Sequence, residues 1–83
     1  MITKQQHTLV EVLGWYGVGA ILSAYALLSF HILSADTTAY QILNITGAIG
    51  IILDAWVDRN YQPVVLNVLW LLIATIALIR IFL

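Results

Sequence analysis

Cysteine is absent from the chain, which excludes disulfide bonds, thiolate nucleophiles and cysteine-ligated metals. Charge is scarce too. Asp, Glu, Lys and Arg make up 8% of residues, whereas an ordinary soluble domain carries about 25% and needs it to face water. This argues against a soluble monomer. The Lys and Arg residues, Lys4, Arg59 and Arg80, form no basic stripe, and the net charge is −1. Neither nucleic acid nor electrostatic capture at an anionic lipid surface is therefore expected. The histidines, His7 and His31, stand at opposite ends of the first apolar run and cannot share a metal ion. No metal and no cofactor is expected. G-x-S-x-G, H-E-x-x-H and a phosphate-cradling glycine loop are all missing, and the serines have no nearby base, so the chain reads as a protein that is not an enzyme.

What remains is apolar: 63% of residues are hydrophobic, gathered in runs over 9–33, 40–57 and 64–83. As helices these reach about 37, 27 and 30 Å, against a bilayer hydrocarbon core of about 30 Å. The fold expected is all-α, a three-helix transmembrane bundle running up-down-up, with residues 1–83 forming a single integral membrane domain. Ala24-Tyr25-Ala26 has the small-x-small form of a signal-peptidase site. The apolar run continues past it and Glu11 interrupts it, so an uncleaved first span is expected.

The breaks between spans are short, which implies antiparallel neighbours. In the first break Asp36, Thr37 and Thr38 can accept hydrogen bonds from the free N–H groups that open helix two. In the second, Pro63 is expected at the first position of helix three, where its missing donor is no loss. The N-terminus and the second loop share a side and hold Lys4 and Arg59, while the first loop has no Lys or Arg and Arg80 lies near the other end. The positive-inside rule then puts the N-terminus in the cytoplasm. Trp15, Trp56 and Trp70 fall in the cytoplasmic half with Tyr16 and Tyr61. Trp56 and Tyr61 read as an interfacial belt, and Trp15 and Trp70 as belt or core.

A polar group in lipid needs a partner, so the face each occupies is informative. At about 100° per residue, Tyr40, Asn44, Gly47 and Asp54 share one stripe of helix two with Gly50 beside them, leaving Ile45, Ile49, Ile52 and Leu53 for lipid. Helix three sets Asn67, Trp70, Ala74 and Ala77 along one face. Helix one offers Glu11, Gly14, Trp15, Val18, Tyr25 and Ser29, with Gly19 and Ser23 as a small-xxx-small pair nearby. These faces either pack, with the glycines allowing close approach and Asn44 and Asn67 bonding across helices, or enclose a solute path. Antiparallel threading keeps Asn44 and Asn67 apart within one chain. Glu11 and Asp54 lie inside spans on inward faces, and since loss of water favours a neutral carboxyl, both are candidates for proton coupling.

Tyr40-Gln41-Ile42-Leu43-Asn44-Ile45-Thr46-Gly47-Ala48-Ile49-Gly50, followed by Tyr61-Gln62-Pro63 and Asn67-Val68-Leu69-Trp70, resembles the signature of a family of small bacterial inner-membrane proteins of unknown function, the CBU-type hypothetical membrane proteins. The match covers helices two and three, about half the chain. The resemblance implies a bacterial inner-membrane location and three helices, and no chemistry. A weaker similarity is to the three-helix halves of PQ-loop sugar transporters, although here the order is Tyr-Gln-Pro and falls in a loop.

The function expected is that of a non-enzymatic membrane protein that self-associates as a homo-oligomer, or joins a larger membrane protein, through its glycine- and asparagine-bearing faces. A minimal transporter for a small solute, assembled around Asn44, Asp54, Asn67 and Trp70, is the alternative. A regulatory small protein bound to one larger membrane enzyme would use the same surface. The bilayer is the partner common to all three.

Overall fold

The computed structural model describes residues 2–83 and holds three α-helices among them: α1 (Lys4–Ser29), α2 (Thr38–Val57) and α3 (Tyr61–Ile81). Each is long and apolar enough to cross a membrane, as the apolar runs imply. The ends differ from those runs because caps, and not hydropathy, decide where a helix starts. Thr3 and Gln6 form a capping box: the Gln6 N–H donates to Thr3 Oγ1 at 3.1 Å and the Thr3 N–H to Gln6 Oε1 at 2.9 Å. This carries α1 back to Lys4, ahead of the apolar run at Leu9. Thr37 caps α2 by accepting from the Tyr40 N–H at 3.3 Å. α3 starts at Tyr61, so Pro63 is its third residue and not its first. The difference costs nothing, since no N–H in a helix's first turn has an intrahelical acceptor.

α1 and α2 close the same way, through a residue in the left-handed region. After α1, His31 (φ 62°) follows the C-cap Phe30, its N–H donates to the Leu28 carbonyl at 3.1 Å, and the Ile32 N–H donates to the Leu27 carbonyl at 2.9 Å. After α2, Arg59 (φ 55°) donates to the Trp56 carbonyl at 3.1 Å and Asn60 to the Ala55 carbonyl at 2.8 Å. Both are Schellman closures, a motif that ordinarily carries glycine at the left-handed position. Residues 30–33, part of the first apolar run, thereby fall outside the helix. We expect His31→Gly and Arg59→Gly each to stabilise the fold by up to about 1 kcal/mol, because the side chain's steric cost in this conformation is removed. A raised thermal unfolding midpoint in detergent would report the gain.

α2 is the central element. α1 packs on one side of it and α3 on the other, and α1 and α3 do not pack on each other. The unit is about as long as a bilayer is thick, 40 Å on its longest axis. Its interior is built of small side chains: the buried apolar residues are Ala20, Ala24, Ala48, Ala55, Val64 and Ala74, and among the described residues no large side chain is fully buried. Large apolar residues, among them Leu22, Leu66, Ile73 and Ile79, point outward. Water would penalise that arrangement heavily. In lipid, helices associate through backbone approach and polar contacts, which small residues permit. Ile49 and Leu53 are exposed on the outer side of α2 as expected, with Ile45 and Ile52 half-buried.

Candidate functional site

The α1–α2 seam fixes everything around it. Gly14 and Gly17 of α1 and Gly47 and Gly50 of α2 are buried, and each lies too close to its neighbour to carry a Cβ. A Cβ at Gly17 would meet the Gly47 carbonyl oxygen and sit 2.8 Å from Ile51 Cγ1. One at Gly50 would meet the Leu13 carbonyl oxygen, and one at Gly47 would fall 2.9 Å from Ile21 Cγ1 and 3.2 Å from Ala20 Cβ. The two backbones therefore touch. Gly14, Gly17, Ala20 and Ala24 are the buried residues of α1, so its contact face differs from the one expected. Of that expected face, Gly14 packs on α2, whereas Trp15 is 70% exposed and Tyr25 is exposed. Gly19, expected to pair with Ser23 at a helix contact, meets nothing within 4 Å, and Ser23 is exposed. The run Gly14, Gly17, Ala20 was the legible signal, since small residues three apart also share a helical face.

Asn44, Thr46 and Asn67, polar side chains within the spans, are satisfied by one device. Asn44 Nδ2 donates to the Tyr40 carbonyl at 2.9 Å, Asn67 Nδ2 to the Pro63 carbonyl at 2.8 Å, and Thr46 Oγ1 to the Ile42 carbonyl at 2.8 Å. Each reaches back one turn of its own helix. Two of these positions also reach across. Asn44, 2% exposed, accepts from Trp70 Nε1 at 2.9 Å, tying α2 to α3. The Tyr16 hydroxyl lies 2.7 Å from Thr46 Oγ1. As the Thr46 proton is directed at the Ile42 carbonyl, Tyr16 is the donor, tying α1 to α2 on the opposite flank. Tyr16 thus sits near the middle of α1, and Trp70 sits midway along α3. Trp56 and Tyr61 do pair at an end, edge to face with centroids 5.9 Å apart. Asn44 and Asn67 make no bond to each other. Asn67 is 7% exposed and stands apart from the other candidates.

Because α1 and α3 do not meet, a furrow runs along one side of α2. Its middle is lined by Val18, Leu22, Tyr25, Tyr40, Asn44 and Trp70. Tyr40, Asn44 and Trp70 continue into a stretch bounded by Gln41, Ile73, Ala74 and Ala77. Gln41 and Ala77 in turn border a cavity of about 570 Å3 with Asp36 and Arg80. In the other direction Val18 and Ile51 lead to a cavity of about 350 Å3 lined by His7, Glu11, Trp15, Asp54 and Asp58. Asp54 lies against Gly14, which a Cβ would push 2.7 Å from the Asp54 Cβ. His7 Nε2 approaches Asp58 Oδ1 at 3.4 Å, with both side chains half exposed, so the pair adds little stability.

The furrow thus brings together Tyr40, Asn44 and Trp70 in its middle, and Glu11 with Asp54 at one end. Gly47 and Gly50 belong to the seam instead. Antiparallel threading of the spans already puts Asp36 and Arg80 at the same membrane face, and both line the cavity of about 570 Å3; Gln41 was not read with them. Among the described residues no three His, Asp or Glu side chains are arranged to hold a metal ion.

Searches among curated proteins and among solved structures return no significant match. A family model matches residues 10–83, nearly the whole chain, and describes small uncharacterised proteins, in agreement with the CBU-type resemblance carried by Tyr40 to Gly50. The glycine seam, the Asn44 to Trp70 bond and the furrow's lining apart from His7 lie within the matched residues, and the chain belongs to that family.

Proposed function

We propose that this is a non-enzymatic protein of the bacterial inner membrane, with its N-terminus in the cytoplasm, that self-associates through the outer face of α1. The observation that carries this is Gly19. Every other glycine is pressed against a neighbouring helix, whereas Gly19 meets nothing and stands on the stripe with exposed Ser23, turned away from α2. A small residue one turn from another lets a second helix approach to backbone contact, the main source of attraction between helices in lipid. The unit's shallow interior of alanines supports the same reading, since three helices alone bury little. Lys4 and Arg59 on one side of the membrane support the orientation.

Replacing Gly19 and Ser23 together with leucine is expected to convert an oligomer to a monomer without loss of helix content, read as mass by light scattering in mild detergent. Wild-type protein that is monomeric at all concentrations, with no co-purifying membrane protein, would contradict the proposal. A second reading, a minimal transporter for a small solute, draws support from the furrow, where Asn44, Trp70 and Asp54 lie on one continuous wall. There a water-soluble thiol reagent would modify a cysteine placed at Ile73, and under the first reading lipid would shield it.

A further inference from the structure

Asp36 and Arg80 border one cavity of about 570 Å3, the first in the loop before α2 and the second in the last turn of α3. They do not pair. Among the described residues the salt bridge formed is between His7 and Asp58, at the other end of the molecule. A carboxylate and a guanidinium that face a common space without meeting are arranged for a ligand that carries both charges. Gln41, on the cavity floor, adds a third group. It is 5% exposed, and its Nε2 is fixed by donation to the Ala35 carbonyl at 2.8 Å. Its Oε1 accepts no hydrogen bond within the described residues, yet every fully covered side-chain nitrogen and oxygen there has a partner. This oxygen is therefore not fully covered, and Gln41 lines the cavity.

We propose that this end of the furrow binds a zwitterionic aminophospholipid of the ethanolamine type. The Arg80 guanidinium takes the phosphate, for which its forked donors are suited, and the primary ammonium donates to Asp36 and to Gln41 Oε1. The acyl chain accounts for what lies beneath. Gln41 and Ala77 are shared with the stretch of furrow lined by Ala74, Ile73 and Trp70, whose walls are mostly apolar. A free phosphoethanolamine would leave that stretch empty. The same three groups select against other lipids. Asp36 repels a headgroup that is only anionic, and a choline headgroup has no N–H to give to Asp36 or Gln41. The site stands at the end of the membrane span, at headgroup depth, and no residue of α1 lines it, so it does not depend on self-association through Gly19.

The test is native mass spectrometry of the protein released from bilayers that contain ethanolamine, glycerol and choline phospholipids with identical acyl chains. The ethanolamine lipid is expected to be retained about tenfold or more over the other two, the worth of one charge-assisted bond. Asp36→Asn is expected to remove that preference and favour the glycerol lipid, and Arg80→Gln to weaken retention of all three lipids, since each carries the phosphate. Both side chains are exposed, so neither change threatens the fold, and unchanged helix content would confirm that. Ala77→Phe, which fills the groove below the headgroup, is expected to lower retention of the ethanolamine lipid while leaving the charged pair intact. Equal retention of the three lipids would overturn the proposal, as would a preference that survives Asp36→Asn. Displacement of the lipid by equimolar soluble phosphoethanolamine would refute the acyl-chain part.

Discussion

Gly17→Val is expected to be the most damaging single change in the chain, lowering stability by about 3 kcal/mol or more and separating α1 from α2. The new Cβ would be driven into the Gly47 carbonyl oxygen and would stand 3.1 Å from the Ile51 amide nitrogen, both of them backbone atoms that cannot rotate aside. Overpacking against movable side chains costs about 1 to 3 kcal/mol, and a backbone obstacle lies at or above the top of that range. Gly19→Val, two residues away, is the control: nothing lies within 4 Å of its Cβ position, so the fold should stand. Denaturation in mixed micelles, followed by circular dichroism, would compare the two. Equal stability of both variants would mean that α1 does not meet α2 along Gly17.

Asn44→Leu carries the second large effect. It removes the acceptor of Trp70 Nε1 and leaves an indole N–H without a partner in a medium that offers no water to replace it. A stranded buried donor costs about 1 to 3 kcal/mol. Hydrogen bonds between membrane helices have measured lower on average, about 0.6 kcal/mol, because the separated helices find other partners. The expected loss is therefore about 2 kcal/mol, since Asn44 is almost wholly enclosed. Trp70→Phe should lose a similar amount, because it leaves the enclosed Asn44 Oδ1 without its donor. The double variant should lose less than the sum of the two, the mark of a direct contact. Additive losses would show that Asn44 and Trp70 act separately.

Which parts of this were legible in the sequence follows from the physics of the signals. Span number and helical class were legible because an uncharged run about 20 residues long has few other stable uses. The inward stripe of α2 was legible because Gly47, Gly50 and Asn44 recur at helical spacing among large apolar residues. Helix ends were harder: Lys4 to Thr8 is polar, and α1 extends over it through the cap at Thr3. The α1 face was misread because large residues such as Trp15 and Tyr25 were set beside Gly14, whereas a close seam admits only small ones and takes Gly17 and Ala20. Partnerships between helices were out of reach. Asn44 could have met any donor at its depth, and its choice of Trp70 depends on the stagger of α2 against α3. Asp36 and Arg80 are far apart in sequence and converge because the two short turns return α3 to the end where α2 begins.

α2 is the spine of this fold, with α1 and α3 held to opposite sides and a furrow left open between them. Solid-state NMR of uniformly labelled protein in lipid bilayers tests that arrangement directly through inter-helix contacts. Cross-peaks between Gly17 and Gly47, and between the Trp70 indole and the Asn44 side chain, are predicted, with none joining Val18 or Leu22 of α1 to Ile73 of α3. Strong contacts from α1 to α3, with the Gly17 to Gly47 contact missing, would contradict it.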